Sequence, residues 1–263
     1  MLRLISKWLK TGYSEDGAIT RQTVGTPQGS VISPLLANIY LHYALDVWVE
    51  NERRSHPDGE VIIVRFADDV VLGFQHKTVA ERYLEALKER LGLYGLTLHP
   101  RKTRLIEFGR YAAERRKKRG EGKPESFDFL GFTHLCSTNR QGGYFLKRKT
   151  KRKRLRQKLY DIKAVLRKHL HAPLHQTGTW LRSVVKGHGL YFGVPGNSKS
   201  LKSFRDQVVK AWYKSLRRRS QKGTAMTWER FRPIVDAYLP HLRICHKFPE
   251  VRFAKTQGRS RMR

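Results

Sequence analysis

The stretch Val61-Ile-Ile-Val-Arg-Phe-Ala-Asp-Asp-Val-Val-Leu-Gly-Phe74 constrains this chain more than any other. Two β-branched, apolar runs flank one short break, Ala67-Asp68-Asp69. Such runs favour pleated strands, and the break has the length of a tight hairpin turn. That puts two adjacent carboxylates at the tip, where they repel each other unless partnered. A divalent cation removes the repulsion. Mg²⁺ takes hard oxygen ligands, typically one or two carboxylates plus substrate phosphates, and two such ions can clamp the attacking and leaving oxygens of a phosphoryl transfer. The competing reading is structural, because Asp is a common turn residue and a lone Asp-Asp between strands is more often a turn than a metal site. The preferred two-residue hairpin loops carry Gly, however, and this break has none. The sequence on either side decides between the two.

A chain of 263 residues suffices for one or two domains with a real core. Its charge is unevenly placed. Residues 1–128 carry 21 Lys and Arg against 17 Asp and Glu, whereas residues 129–263 carry 33 against 5, a balance of +28. The second half is therefore a polyanion binder by electrostatics. Nucleic acid is preferred over anionic membrane as the target. No apolar run approaches the ~20 residues of a spanning helix, and the basic segments lack a strong apolar face, so no membrane partner is expected. Cys136 and Cys245 lie far apart without a C-x-x-C, which reads as two reduced, buried thiols in a cytoplasmic protein.

Along the chain, residues 2–9 show helical spacing, and 13–25 read as a hairpin or loop. In Gly25-Thr-Pro-Gln-Gly-Ser-Val-Ile-Ser-Pro34, Pro27 and Gly29 predict a rigid turn. Ser30 or Ser33 would cap the following helix, with Pro34 in its first turn. A turn feeding a helix N-terminus presents N–H groups to a phosphate; taken alone, Pro27-Gln28-Gly29 is better read as a plain helix start. A second helix is expected over 79–93. Residues 95–108 read as an extended piece, a turn and a strand. Residues 110–124 read as a solvated loop, and 126–134 as a strand in which Gly131 marks a close backbone approach. From Lys147 to Lys158, nine of twelve residues are Lys or Arg, spaced to cover every face of a helix. Helical patterns follow over about 150–170, 174–186, 200–219 and 227–238. Tyr160, Trp180, Tyr191, Phe192 and Trp212 are either core residues or stacking surfaces for unpaired bases.

Three stretches in this order resemble successive blocks of a reverse transcriptase palm: Thr26-Pro-Gln-Gly-Ser-Val-Ile-Ser-Pro-Leu-Leu36, Phe66-Ala-Asp-Asp69 and Phe129-Leu-Gly-Phe132. The resemblance is strongest to the group II intron-encoded reverse transcriptase/maturase. His188-Gly-Leu-Tyr-Phe-Gly193 and its basic surroundings are similar to the thumb or maturase (X) domain of that family. The resemblance implies an α+β chain: a partial right-hand polymerase palm, an antiparallel sheet with helices, over residues 1–146, then a basic, mainly helical thumb/maturase domain over 147–263. It further implies that Asp68 and Asp69 are the catalytic ligands of two Mg²⁺ ions. Pro27, Gln28, Gly29, Phe66 and Ala67 would contact nucleotide and template, and Phe129, Leu130, Gly131 and Phe132 would form a primer grip. Lys102 would be a catalytic basic residue near the nucleotide phosphates; an isolated surface Lys is the equal alternative. Lys147, Arg148, Lys149, Lys151, Arg152, Lys153 and Arg154 are the candidate RNA-binding cluster. The partners implied are intron RNA, an RNA template with a DNA primer, and deoxynucleoside triphosphates (dNTPs).

Two departures stand out. Phe66 occupies a position where the family commonly has Tyr, which keeps the ring and loses the hydroxyl. The family's third metal-binding Asp, on a strand before the Pro-Gln-Gly turn, has no counterpart: Asp16 lies in a polar loop, Asp46 on a helix and Asp58 in a Pro-Asp-Gly turn. The expectation is a truncated or split reading frame with an N-terminal partner fragment as a candidate source of that Asp. Two other readings stay open: a non-catalytic RNA-binding maturase-like protein, and a retron or diversity-generating reverse transcriptase.

Overall fold

The structure is a computed structural model and describes residues 2–9, 13–15, 18–20, 31–55, 59–139, 141–220, 225–249 and 251. The chain divides into two compact units, residues 1–105 and 106–263.

In the first unit, helix α1 (Leu2–Leu9) precedes a short antiparallel pair, β1 (Tyr13–Glu15) and β2 (Ala18–Thr20). Helix α2 (Ser33–Leu41) passes through a π turn (His42–Asp46) into α3 (Val47–Ser55). Pro34 falls in the first turn as expected. Ser33 is not the N-cap: it is helical, and Ile32 stands there without a side-chain bond, while Ser30 lies outside the described residues. Strands β3 (Val61–Phe66) and β4 (Asp69–Phe74) form the expected hairpin, with Phe66 opposite Asp69, and α4 (Lys77–Leu93) follows.

Strand alternation decides which side of the hairpin is covered. Val61, Ile63, Val70, Leu72 and Phe74 turn toward the helices. Of these, Ile63, Val70, Leu72 and Phe74 pack against a buried cluster of Leu45, Val49, Tyr83, Leu87 and Leu91. Ile62, Val64 and Phe66 lie on the other face and are exposed. Residues 96–108, expected to contain a strand, form none. A turn closes on the His99 carbonyl, which accepts from the N–H groups of Lys102 and Thr103. The segment that follows finds no strand partner among the described residues.

In the second unit, residues 112–118 are helical (α5) where a solvated loop was expected. The reason is local, since Ala112 and Ala113 are strong helix formers and Glu114 pairs with Lys118 one turn on, at 2.8 Å. The expected strand over 126–134 is two strands, β5 (Phe127–Phe129) and β6 (Phe132–Thr138), and β7 (Tyr144–Thr150) completes an antiparallel sheet of order β5-β6-β7. Lys147, Arg148 and Lys149 therefore sit on a strand. The helix expected to display them begins only at Arg152, because Tyr144-Phe145-Leu146 pair with Thr138, Ser137 and Cys136 and carry the chain through to Thr150.

Four helices follow: α6 (Arg152–Lys168), α7 (Leu174–Phe192), α8 (Ser198–Arg217) and α9 (Trp228–Tyr238). On α6, Leu155, Leu159, Ile162 and Leu166 recur at helical spacing and face a core built around Leu181, Val185, Phe204, Trp212 and Phe231. Each large side chain buried there contributes about 1.5–3 kcal/mol of apolar transfer. Helix α7 runs past Gly187 and Gly189, further than the pattern suggested. Gly189 and Gly193 allow the segment 242–246 to lie against its end. A Cβ on Gly193 would stand 2.5 Å from the Gly189 carbonyl oxygen and 2.5 Å from Cys245 Sγ. The Gly193 carbonyl accepts from the N–H groups of Cys245 and His246. Cys245 is exposed rather than buried, because its thiol meets α7 on one side only; Cys136 is half-buried, and both are free.

His188 lies in this region, buried and stacked on Phe204 with ring centroids 3.7 Å apart. Burial, with Lys158 adding to it, lowers its pKa from 6.5 to about 4. A histidine whose folded pKa is depressed contributes stability above its unfolded pKa and loses it as the pH falls toward the folded one, since the unfolded chain binds the proton first. About 3 kcal/mol should therefore disappear between the two values. Urea unfolding at about pH 7 and about pH 4.5 measures it, and His188→Gln should remove most of the difference. Equal pH dependence in parent and variant would show that other groups carry it.

Candidate active site and nucleic-acid interface

Asp68 and Asp69 occupy the tip of the β3–β4 hairpin. The loop has two residues, Ala67 and Asp68, and Asp69 opens β4. Ala67 has φ +53° while Asp68 stays at negative φ. Positive φ at the first loop position alone is the II′ pattern, which normally takes Gly there. A side chain at that φ costs roughly 1–2 kcal/mol, so the turn is held by its surroundings. Asp69 shares the open face of the hairpin with Phe66, directly across the ladder. Phe66 is 63% exposed, and both carboxylates are exposed. Among the described residues, no side-chain cation pairs with either one.

The turn is tied to the helices by Arg65. The strand alternation points Arg65 to the covered side, where its side chain is only 14% exposed. Its Nε and Nη2 donate to the two oxygens of Asp46 at 2.7 and 2.6 Å. Its Nη1 donates to Asn38 Oδ1 at 2.8 Å and to the Ala67 carbonyl at 3.1 Å. The hydrogen bond from Arg65 holds the Asp46 carboxyl below its usual pKa, and Asp46 in turn raises that of the guanidinium. On an unbroken α-helix, Asn38 and Asp46 would stand about 80° apart. The π turn between them slows the rotation, and both reach one guanidinium. Asp46 is thus fully engaged as a partner of Arg65.

A metal between Asp68 and Asp69 fits the donor chemistry, two adjacent exposed carboxylates on an open face, which suits a hard divalent cation that takes its other oxygens from phosphate or water. Among the described residues, no group of three or more His, Cys, Asp or Glu side chains is arranged to hold a metal. Pro27, Gln28 and Gly29 lie outside the described residues. Lys102 is exposed in the turn after α4.

In the second unit, Phe129-Leu130-Gly131-Phe132 form a tight turn. Leu130 (φ +48°) and Gly131 (φ +79°) are its two central residues, as a type I′ turn requires. Tyr191 braces it: its hydroxyl donates to the Leu130 carbonyl at 2.9 Å, and its ring stacks on Phe132. The Gly131 carbonyl accepts from Lys151 N–H at 2.9 Å. Lys151 also pairs with Asp128 at 3.1 Å, so part of its charge is spent within the protein. Lys147 and Arg148 are half-buried on β7, whereas Lys149, Arg152, Lys153 and Arg154 are exposed. Of the aromatic candidates, Phe192 and Trp212 are core residues and Trp180 is half-buried. Tyr160 and Tyr191 are exposed. Tyr160 stands on α6 among Arg156, Lys163 and Arg167, its neighbours at helical spacing.

The sequence did not mark Arg65 or Asn38 as site residues; it offered Asp46 only as a poor fit to a metal ligand and Tyr191 only as a core or stacking residue, not as a brace of the turn. Arg65 left a signal there, as a charged residue at an inward position of an otherwise apolar strand.

A family profile described as reverse transcriptase (RNA-dependent DNA polymerase) matches residues 1–134, half of the chain. The chain belongs to the reverse transcriptase family. The match covers the whole β3–β4 hairpin and the Phe129–Phe132 turn. A relative described as group II intron-encoded protein LtrA, from Lactococcus lactis subsp. cremoris, is 46% identical over 59 residues, 21% of this chain and 10% of that protein. Another, described as an uncharacterized 91 kDa protein in cob intron from Schizosaccharomyces pombe, is 52% identical over 50 residues, 19% of this chain and 6% of that protein. The matched stretches therefore span a tenth or less of each relative. The reverse transcriptase has mixed α and β structure, with small antiparallel sheets and a mainly helical second half. Among its described residues, no helix is long and apolar enough to cross a membrane.

Proposed function

We propose that this reverse transcriptase is of the group II intron type: an RNA-directed DNA polymerase and maturase that binds intron RNA and assists its splicing and mobility. The observation that carries the reading is the Phe66-Ala67-Asp68-Asp69 turn, with two exposed, adjacent carboxylates at its tip in a chain of this family. In this reading, Asp68 and Asp69 hold Mg²⁺. The ions supply charge neutralisation at the transferring phosphoryl group. Phe66 offers an exposed ring beside Asp69 for a nucleotide to pack on. In the same reading the braced Phe129–Phe132 turn serves as the primer grip, and Lys102 is the basic residue near the nucleotide phosphates. The reverse transcriptase portion runs through residue 146, and residues 147–263 form the thumb/maturase portion, whose exposed Lys and Arg meet RNA phosphates. The two free cysteines agree with a reducing, cytoplasmic setting.

Two carboxylates leave a two-metal site under-coordinated, and phosphoryl transfer depends almost wholly on positioning and charge neutralisation. The chain alone should therefore extend a DNA primer on an RNA template poorly in Mg²⁺. A separate segment from a reverse transcriptase of this type, carrying a strand with the third Asp, should raise extension when added. Vigorous synthesis by the chain alone would show that its own residues complete the site. RNA binding without extension in either arrangement would favour a non-catalytic maturase-like protein.

A further inference from the structure

The Ala67 peptide carries the strain of the hairpin turn, and one side chain holds it. Ala67 sits at φ +53° without the freedom of glycine. Its carbonyl accepts from Arg65 Nη1 at 3.1 Å. Three further bonds fix that guanidinium, two donated to Asp46 and one to Asn38. Both partners are themselves anchored: Asn38 Nδ2 donates to the Pro34 carbonyl at 2.9 Å, and His42 Nδ1 lies 3.4 Å from Asp46 Oδ2. A planar guanidinium held at both edges has little freedom to follow a moving acceptor. The path thus runs from the first turn of α2, through Asn38 and Arg65, to the peptide immediately before Asp68.

We propose that Arg65, locked by Asp46 and Asn38, is a positioning residue that fixes the Ala67–Asp68 peptide and so sets the direction of the Asp68 and Asp69 carboxylates. The metal consequence rests on the reading of those carboxylates as ligands given above; the effect on the turn does not. Without the bond to its carbonyl, the Ala67–Asp68 peptide is free to rotate between alternative two-residue turns. The carboxylates then sample several directions, and a cation that needs both binds more weakly. Lys cannot replace Arg here, because one ammonium cannot span both Asp46 oxygens and also reach Asn38 and Ala67.

The test compares the parent with Arg65→Lys and Asn38→Ala in the full chain. Two readouts are taken: the backbone amide resonances of Asp68 and Asp69, and Mn²⁺ affinity by paramagnetic titration. Both variants should shift or exchange-broaden the two amides while the second unit's resonances stay in place, and should weaken Mn²⁺ binding by about tenfold. Asn38→Asp, which keeps an acceptor for Nη1 but loses the donor to the Pro34 carbonyl, should perturb the two amides less than Asn38→Ala does, which a loss unconnected with Nη1 would not. Unchanged Asp68 and Asp69 amides in both variants would overturn the proposal. Shifted amides with no Mn²⁺ binding even in the parent would leave the positioning role standing and refute the metal reading instead. Should Arg65→Lys fail to fold, Asn38→Ala, which leaves the Arg65–Asp46 pair intact, decides alone.

Discussion

RNA affinity should fall by roughly 10³–10⁵-fold when salt is raised from ~50 to ~200 mM, if the second unit neutralises six to ten phosphates. The expectation follows from 33 Lys and Arg against 5 Asp and Glu in residues 129–263. Neutralising phosphates releases condensed counterions, and each contact adds about 0.7–0.9 to the slope of log affinity against log salt. The structure refines which residues matter. Lys151 is held by Asp128, and Lys147 and Arg148 are half-buried on β7, so these three should contribute less than the exposed Arg152, Lys153 and Arg154. Changing those three exposed residues to Ala should lower the slope by roughly 2 and weaken binding to all RNAs alike. Tyr160→Ala should instead reduce affinity mainly for RNA with unpaired bases, since stacking is worth about 1–3 kcal/mol per base. Filter-binding titrations over a salt series measure both. Affinity that barely changes with salt would mean that the basic surface is only solvated.

The second large effect is expected at the hairpin tip. In a complemented primer-extension reaction, Asp68→Asn should reduce the rate by roughly 10²–10³-fold or more, the scale seen when one preorganised electrostatic group is removed from a transition state. The side chain keeps its size and loses its charge, so the turn should survive and the metal should not. Asp69→Asn should behave alike. Asp46→Asn differs, because Asp46 is a partner of Arg65 rather than an open carboxylate. It should disturb folding of the first unit together with activity. Single-turnover extension rates beside urea unfolding midpoints separate the two cases. Asp68→Asn at parental rate would place the chemistry elsewhere.

The hairpin was legible because its β-branched runs alternate around a break of the right length, and alternation is all that a two-stranded ladder with one covered face requires. The helices of the second half were legible for the same kind of reason, as with Leu155, Leu159, Ile162 and Leu166 on α6. Charge misled where it was dense. The run from Lys147 looked uniform, but Tyr144-Phe145-Leu146 before it had already committed the chain to a strand. Low apolar content misled at 112–118, where Ala and an i,i+4 ion pair suffice for a short helix. The turn at Leu130 was invisible as a turn because its first central residue is not Gly. At both Ala67 and Leu130 a non-glycine residue takes positive φ, so local propensity is overruled by tertiary bonds, from Arg65 in one case and Tyr191 in the other. The clasp around Arg65 could not be read from the sequence, since its partners lie 19 and 27 positions away.

The most direct measurement is single-nucleotide addition to a DNA primer annealed to RNA templates that differ only in the next base. The chain, supplied with the complementing segment, is given one dNTP at a time. Addition of the complementary nucleotide alone is expected, dependent on a divalent cation and lost in Asp68→Asn. Addition that ignores the template base, or that persists in Asp68→Asn, would contradict the polymerase reading.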